Sequence, residues 1–174
     1  FLKAQRLKKV RKYMNGRVLD YGCGTGDLGK FCAPNSYVGF DIDAQSLSIA
    51  QATYPHLVFT DRFPFSNGAD LYDSIILSAV IEHVDDPVSL LKLLKAHLTE
   101  NGQIVLTTPH PSLGWAHSLG AQVGIFSAEA SKEHKKLLDK DSMSKIALKA
   151  NLSLAFYERF LFGANQLIVL KRQR

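Results

Sequence analysis

Long apolar runs are missing from this 174-residue chain. None approaches the roughly 20 residues that a membrane-spanning helix needs. Cysteine is scarce: Cys23 and Cys32 are too few for a disulfide framework, and both fit reduced thiols in a cytoplasmic protein. No secretory leader pattern opens the chain, which begins at Phe1 rather than Met and so leaves room for residues upstream. Repeats, low-complexity tracts and an interdomain linker are absent too. Glycine, proline and charge occur at ordinary levels, which excludes disordered and fibrous classes.

What is present suits one packed domain. The chain is 46% hydrophobic, and its length allows a real core. The net charge of +5 owes much to Lys3, Arg6, Lys8, Lys9, Arg11 and Lys12. Such a run could meet nucleic-acid phosphates. It reads better as the solvated face of an amphipathic helix, with Leu2, Leu7, Val10 and Met14 as the buried stripe. No aromatic-rich basic patch accompanies it, so nucleic acid is not the expected partner.

Periodicity and punctuation predict alternating strands and helices. A helix over Leu2 to Met14 ends at Asn15-Gly16. Strands follow at Arg17 to Tyr21, Tyr37 to Asp41, Leu57 to Thr60, Leu71 to Ser78 and Gln103 to Thr108. Helices are expected from the glycine loop through Ala33, from Ala44 to Thr53, from Pro87 to about His97, and from Asp141 to Ala150. Near-continuous apolar strands alternating with helices indicate a parallel sheet covered on both faces. Leu152 to Phe162 and Gln166 to Lys171, joined through Gly163-Ala164-Asn165, then read as an antiparallel hairpin. The expected fold is therefore an α/β three-layer sandwich: a mostly parallel, doubly wound, seven-stranded sheet with a C-terminal antiparallel hairpin strand.

Gly22, Gly24 and Gly26 directly follow the first strand. Glycine permits positive φ and close approach of a ligand to the backbone. A helix N-terminus behind such a loop would offer unpaired N–H groups and partial positive charge. Asp41 ends the second strand about twenty residues on, where a carboxylate can accept hydrogen bonds from ribose hydroxyls. Gly24-Thr25-Gly26-Asp27-Leu28-Gly29 also spells the dinucleotide pattern G-x-G-x-x-G, but out of register. That pattern's first glycine belongs at the strand end, where Gly22 stands; its third would then fall on Asp27.

The segment Val18-Leu19-Asp20-Tyr21-Gly22-Cys23-Gly24-Thr25-Gly26 resembles the first motif of class I S-adenosylmethionine-dependent methyltransferases. The resemblance continues through Val38 to Asp43, Thr60-Asp61-Arg62, Tyr72 to Ser78, Glu82 to Pro87 and Asn101 to Pro109, in the family's order. The closing hairpin fits as well, whereas a dinucleotide dehydrogenase would not predict it. The resemblance implies S-adenosylmethionine as cofactor. By it, Asp20, Tyr21, Gly22, Cys23, Gly24 and Gly26 would hold the methionine part. Asp41 would bind the ribose, with Ile42 against the adenine. Asp61 would bond the adenine amino group, with Arg62 and Phe63 close by, and Ser78, Ala79 and Val80 would face the sulfonium. Asp43 reads as a helix cap.

Methyl transfer needs the acceptor aligned and, for a hydroxyl or ammonium, a base. Histidine suits that task near neutral pH, and His83, His110 and His134 lie in the catalytic half. Residues 111 to 140 have the composition of a lid over the acceptor, with Trp115, His117 and Phe126 among small residues. The Asp/Asn-Pro-Pro-aromatic signature of base-methylating enzymes is absent after the fourth strand, as is the Pro-Cys nucleophile of cytosine-C5 enzymes. A small-molecule acceptor with O- or N-methylation by in-line displacement is the expectation. The alternatives are an RNA or protein methyltransferase, a non-catalytic cofactor-binding partner subunit and, more distantly, an NAD-binding oxidoreductase. No metal site is suggested by the histidine spacing.

Overall fold

The computed structural model describes residues 1–62, 70–111 and 138–173. Helix α1 (Leu2–Arg11) precedes β1 (Val18–Tyr21), β2 (Tyr37–Phe40), α2 (Ala44–Thr53), β3 (Val58–Thr60) and β4 (Tyr72–Ser78). There follow α3 (Pro87–Ala96), β5 (Leu98–Pro109), α4 (Lys140–Lys149), β6 (Leu152–Phe160) and β7 (Asn165–Arg172). The strands form one seven-stranded sheet in the order β3-β2-β1-β4-β5-β7-β6. Strands β1 to β5 pair in parallel, and β7 lies antiparallel between β5 and β6. The doubly wound α/β sandwich and its antiparallel hairpin strand are as the sequence led us to expect.

The period of two along each central strand builds the layers. Ile75, Leu77, Ile104, Leu106, Ile168 and Leu170 point to one face and pack under α3 and α4 through Leu91, Leu94, Met143 and Ala147. Ile76, Val105, Leu167 and Val169 point to the other face, where Val10 of α1 covers them beside Leu28 and Tyr37. Helix starts follow local chemistry. Asp43 accepts from the N–H groups of Gln45 and Ser46, Asp86 from Ser89 N, and Asp139 from Ser142 N.

The structure departs from the sequence reading in three places. Helix α1 stops at Arg11, and Leu2 is 39% exposed, so the buried stripe is narrower than expected and centres on Val10. No α-helix follows the glycine loop: a single 3-10 turn, Gly29–Phe31, stands there. Glycines at 24, 26 and 29 are poor helix formers, and only ten residues, 27 to 36, separate the loop from β2. Strand β5 begins at Leu98, before Asn101-Gly102, because the chain stays paired with β4 through a register shift between Tyr72 and Ser74.

Truncating Ile75, wholly buried at the centre of the sheet, to alanine is expected to cost about 2–5 kcal/mol in urea unfolding. Leu2→Ala should stay within about 0.5 kcal/mol; the reverse ranking would contradict this packing.

Candidate active site

Strand order reverses at β1, which pairs with β2 on one side and β4 on the other. The crevice above the carboxyl ends of β1 and β4 is where open α/β sheets bind ligands. The glycine loop lies there. Gly22 N and Cys23 N both donate to Phe40 O, at 2.8 and 3.0 Å, and Gly26 N donates to Cys23 O at 3.0 Å. Gly22 has φ +80°, and a Cβ there would lie 2.4 Å from Val80 Cγ2, so any side chain would collide with the chain leaving β4. Gly24, at φ +52°, has no atom within 4 Å of where its Cβ would be, which leaves open space on the ligand side of the loop. Its N–H donates to Asp41 Oδ2 at 2.7 Å, and Asp41 Oδ1 accepts from Asp43 N at 3.0 Å.

A cavity of about 270 Å³ opens over this loop. Asp20, Gly22, Cys23 and Gly24 form one wall, and Ser78 and Ala79 at the end of β4 form another. Ser78 Oγ and Thr107 Oγ1 lie 3.1 Å apart, and Ala79 turns the chain with φ +62° while its N–H donates to Thr107 O. The third wall comes from α1: Lys3, Arg6 and Leu7. Lys3 pairs with Asp27 and donates to Thr25 Oγ1 at 3.3 Å, and Arg6 Nε donates to Asn165 Oδ1 at 2.9 Å.

The carboxylate in the wall is perturbed. Asp20 is 2% exposed, and burial pushes its pKa up to about 7. The Tyr37 hydroxyl, donating to Asp20 Oδ2 at 2.8 Å, works against that rise, and the charge of Asp41 adds to it. Burial pushes the Cys23 thiol up as well, which removes it as a nucleophile at neutral pH. Burial lowers Arg6, and the charge of Glu82 offsets part of that effect.

Of the residues singled out from the sequence, Asp20, Gly22, Cys23, Gly24, Ser78 and Ala79 share one cavity. Gly26 completes the loop, Val80 packs against Gly22, and Asp41 is tied to Gly24. The ring of Tyr21 stacks 4.7 Å from that of Phe40. Ile42 is 86% exposed beyond β2, and Asp61 and Arg62 are exposed beyond β3. Phe63 and His134 lie outside the described residues, as does the stretch 112–137 with Trp115, His117 and Phe126.

His83 is exposed in the 3-10 turn Ile81–His83. His110 is half-buried just after β5, its N–H donating to Ala164 O. Burial and then Arg159 lower its pKa, against an opposing pull from Asp139. Sequence reasoning missed Lys3, Arg6, Leu7, Asp27, Leu28 and Tyr37. Lys3, Arg6 and Leu7 are spaced three and four apart on one helical face, so the shared face was legible, but not that it turns toward the loop. Among the described residues, no cluster of three His, Cys, Asp or Glu could hold a metal ion, and no helix is long and apolar enough to cross a membrane.

Known proteins resemble the chain over most of its length. A methyltransferase-domain family matches residues 3–155. The ubiquinone biosynthesis O-methyltransferase of Vibrio campbellii is 25% identical over 163 residues, 84% of this chain and 68% of that protein. A malonyl-[acyl-carrier protein] O-methyltransferase of Halalkalibacterium halodurans is 28% identical over 153 residues, covering 81% of this chain and 55% of that one. The magnesium protoporphyrin IX methyltransferase of Synechocystis, solved with bound SAH (S-adenosylhomocysteine), superposes with a TM-score of 0.73 at 16% identity, over 98% of this chain and 84% of that chain. The loop register, the switch-point cavity and a match over most of the sequence coincide, and the chain belongs to the methyltransferase-domain family.

Proposed function

We propose that this protein transfers the methyl group of S-adenosylmethionine to a small-molecule acceptor, with O-methylation ahead of N-methylation. The observation that carries the reading is the cavity joining the glycine loop to Ser78 and Ala79 at the strand-order reversal. The residues present fit the cofactor. Gly24 leaves space for a ligand against the backbone, Asp20 supplies a carboxylate for an ammonium, and Arg6 supplies a guanidinium for a carboxylate. Asp41 stands at the ribose end, and the exposed Ile42, Asp61 and Arg62 border the adenine end. The two O-methyltransferase relatives support oxygen as the acceptor atom.

When bound, S-adenosylmethionine supplies an activated methyl group on a sulfonium. This chain's own work is then alignment, exclusion of water and proton removal. Val80 closes the loop from the β4 side, and α1 closes it from the opposite side through Lys3, Arg6 and Leu7. His110 is the favoured base among the described histidines, since its lowered pKa keeps the imidazole neutral at pH 7. His134 stands level with His110 as a candidate base, with His83 behind them, and residues 111 to 140 are proposed to cover the acceptor. Nucleic acid is not the proposed partner, because no aromatic-rich basic patch accompanies the basic run of α1. The free thiols of Cys23 and Cys32 support a cytoplasmic location.

Calorimetry with S-adenosylhomocysteine is expected to show binding that Asp41→Ala weakens at least about tenfold, the scale of one lost charge-assisted hydrogen-bond set. Binding of NAD in its place would overturn the assignment. Cofactor affinity should rise with pH through about 7 as Asp20 ionises and becomes able to hold an ammonium, then level off. Tyr37→Phe removes the donor that favours the Asp20 anion, so the midpoint should move to higher pH. With an acceptor found by screening phenols, catechols and carboxylic acids for release of S-adenosylhomocysteine, His110→Ala should lower kcat by about 10²–10⁴-fold and leave cofactor affinity unchanged. An unchanged kcat would remove His110 as the base.

A further inference from the structure

The turn between β6 and β7 holds its residues in a backbone conformation they disfavour. Leu161, Phe162 and Gly163 have φ of +52°, +55° and +85°, so three consecutive residues are left-handed. Glycine enters that region freely, and asparagine more readily than most residues. Elsewhere among the described residues, the non-glycine positions at positive φ are Asn35, Asn151 and the small Ala79. Leu161 and Phe162 are bulky, and a Cβ in this conformation crowds the following carbonyl oxygen. Contacts around the turn hold it in place. Ala164 N donates to Leu161 O at 3.0 Å, and the Arg159 guanidinium donates to Gly163 O through Nε at 3.3 Å and Nη2 at 2.9 Å.

Burial accounts for one of the two strained side chains. Leu161 packs against the cluster that holds Val10, Phe160 and Leu167. Phe162 is fully exposed, and among the described residues no side chain covers it. Its ring adds nothing to the packing of the domain, while its backbone costs stability. Strain of this kind concentrates at places that meet a ligand.

The place of the turn points to which ligand. Pro109, at the end of β5, pairs with Asn165, and His110 N donates to Ala164 O at 2.9 Å. Asn165 Oδ1 in turn holds Arg6 of the cavity wall. Phe162 thus stands two residues from the one that fixes the candidate base and three from the one that anchors the wall. It lies beyond the carboxyl end of β5, on the edge where the cavity opens. An aromatic ring there offers a flat apolar face to a flat apolar partner.

We propose that Phe162 is a specificity-determining residue that packs against an aromatic ring of the methyl acceptor, whose class is then a ring-borne hydroxyl. The inference rests on the small-molecule reading above and names the substrate class within it.

Two measurements test it. Urea unfolding reads the strain: Phe162→Gly and Phe162→Asn should both raise the midpoint, because each accepts a left-handed backbone and no packing is lost. Release of S-adenosylhomocysteine reads the contact, with 2-naphthol and catechol as ring acceptors and octanoic acid as an acyclic one. The wild type should turn over a ring acceptor. Phe162→Asn and Phe162→Ala should raise its KM by about three- to tenfold, the scale of one aromatic pair, with kcat and the calorimetric affinity for S-adenosylhomocysteine held within about twofold. Phe162→Tyr should keep the wild-type KM. Variants with an unchanged KM overturn the proposal, and so does a Phe162→Asn protein that is not stabilised. An equal loss of S-adenosylhomocysteine affinity, or turnover of octanoic acid alone, overturns it as well. A wild type that binds S-adenosylhomocysteine but turns over neither ring acceptor sinks the proposal and leaves the cofactor reading standing. A wild type that does not bind S-adenosylhomocysteine overturns the cofactor reading, and this inference falls with it.

Discussion

The reversal of strand order at β1 is the constraint on which the rest of the site depends. Because β2 and β4 both pair with β1 in parallel, the chain leaves the carboxyl end of β1 in one direction and returns through β4 on the other side. No crossover covers that end, so the backbone emerging from Tyr21 must turn within a few residues, under the segment leaving β4. The contact between Gly22 and Val80 is where the two meet. It is too close for a Cβ, which is why the first residue of the turn is glycine. The hydrogen bond from Gly24 N to Asp41 then ties the loop to the end of β2. One topological feature therefore places strand ends from both halves of the sheet around a single volume.

Electrostatics of that volume follow from burial. Asp20 sits on β1 where the sheet is covered on both faces, and it keeps a proton up to about pH 7. Asp41 and Asp27 add negative charge nearby, and the balancing cations come from α1, the helix that precedes β1. The basic run at the start of the chain is thus two different things. Lys8 and Lys12 are solvated surface, while Lys3, Arg6 and Lys9 are engaged with the body of the domain and Arg11 lies over the ring of Phe31.

Where sequence reasoning went astray, a tertiary contact overruled a local pattern. A glycine loop after a strand suggested a following helix and its dipole. The turn Gly29–Phe31 is too short for either, and the backbone N–H groups of Gly22 and Cys23 are held by Phe40 while that of Gly24 is held by Asp41. The positive charge beside this loop comes instead from Lys3 and Arg6 of α1. Leu2 was grouped with Val10 by periodicity, but Val10 alone in α1 is fully buried, and Leu2 is left exposed.

The sequence by itself determined the class of fold and the place of the glycine loop. Strand runs such as Ser74 to Leu77 and Ile104 to Leu106 are apolar on both faces, and only a sheet covered on both sides can bury them. Glycines at 22, 24 and 26 with acids at 20 and 41 are a local signal, carried by residues close in sequence on adjacent strands. Which face of α1 turns inward was decided only by the tertiary structure, and so was the meeting of Arg6 and Asn165. Those two residues are separated by 159 positions, and no local periodicity couples them. Their juxtaposition arises when β7 inserts antiparallel beside β5 and α1 closes over the sheet, a packing event that no single segment encodes.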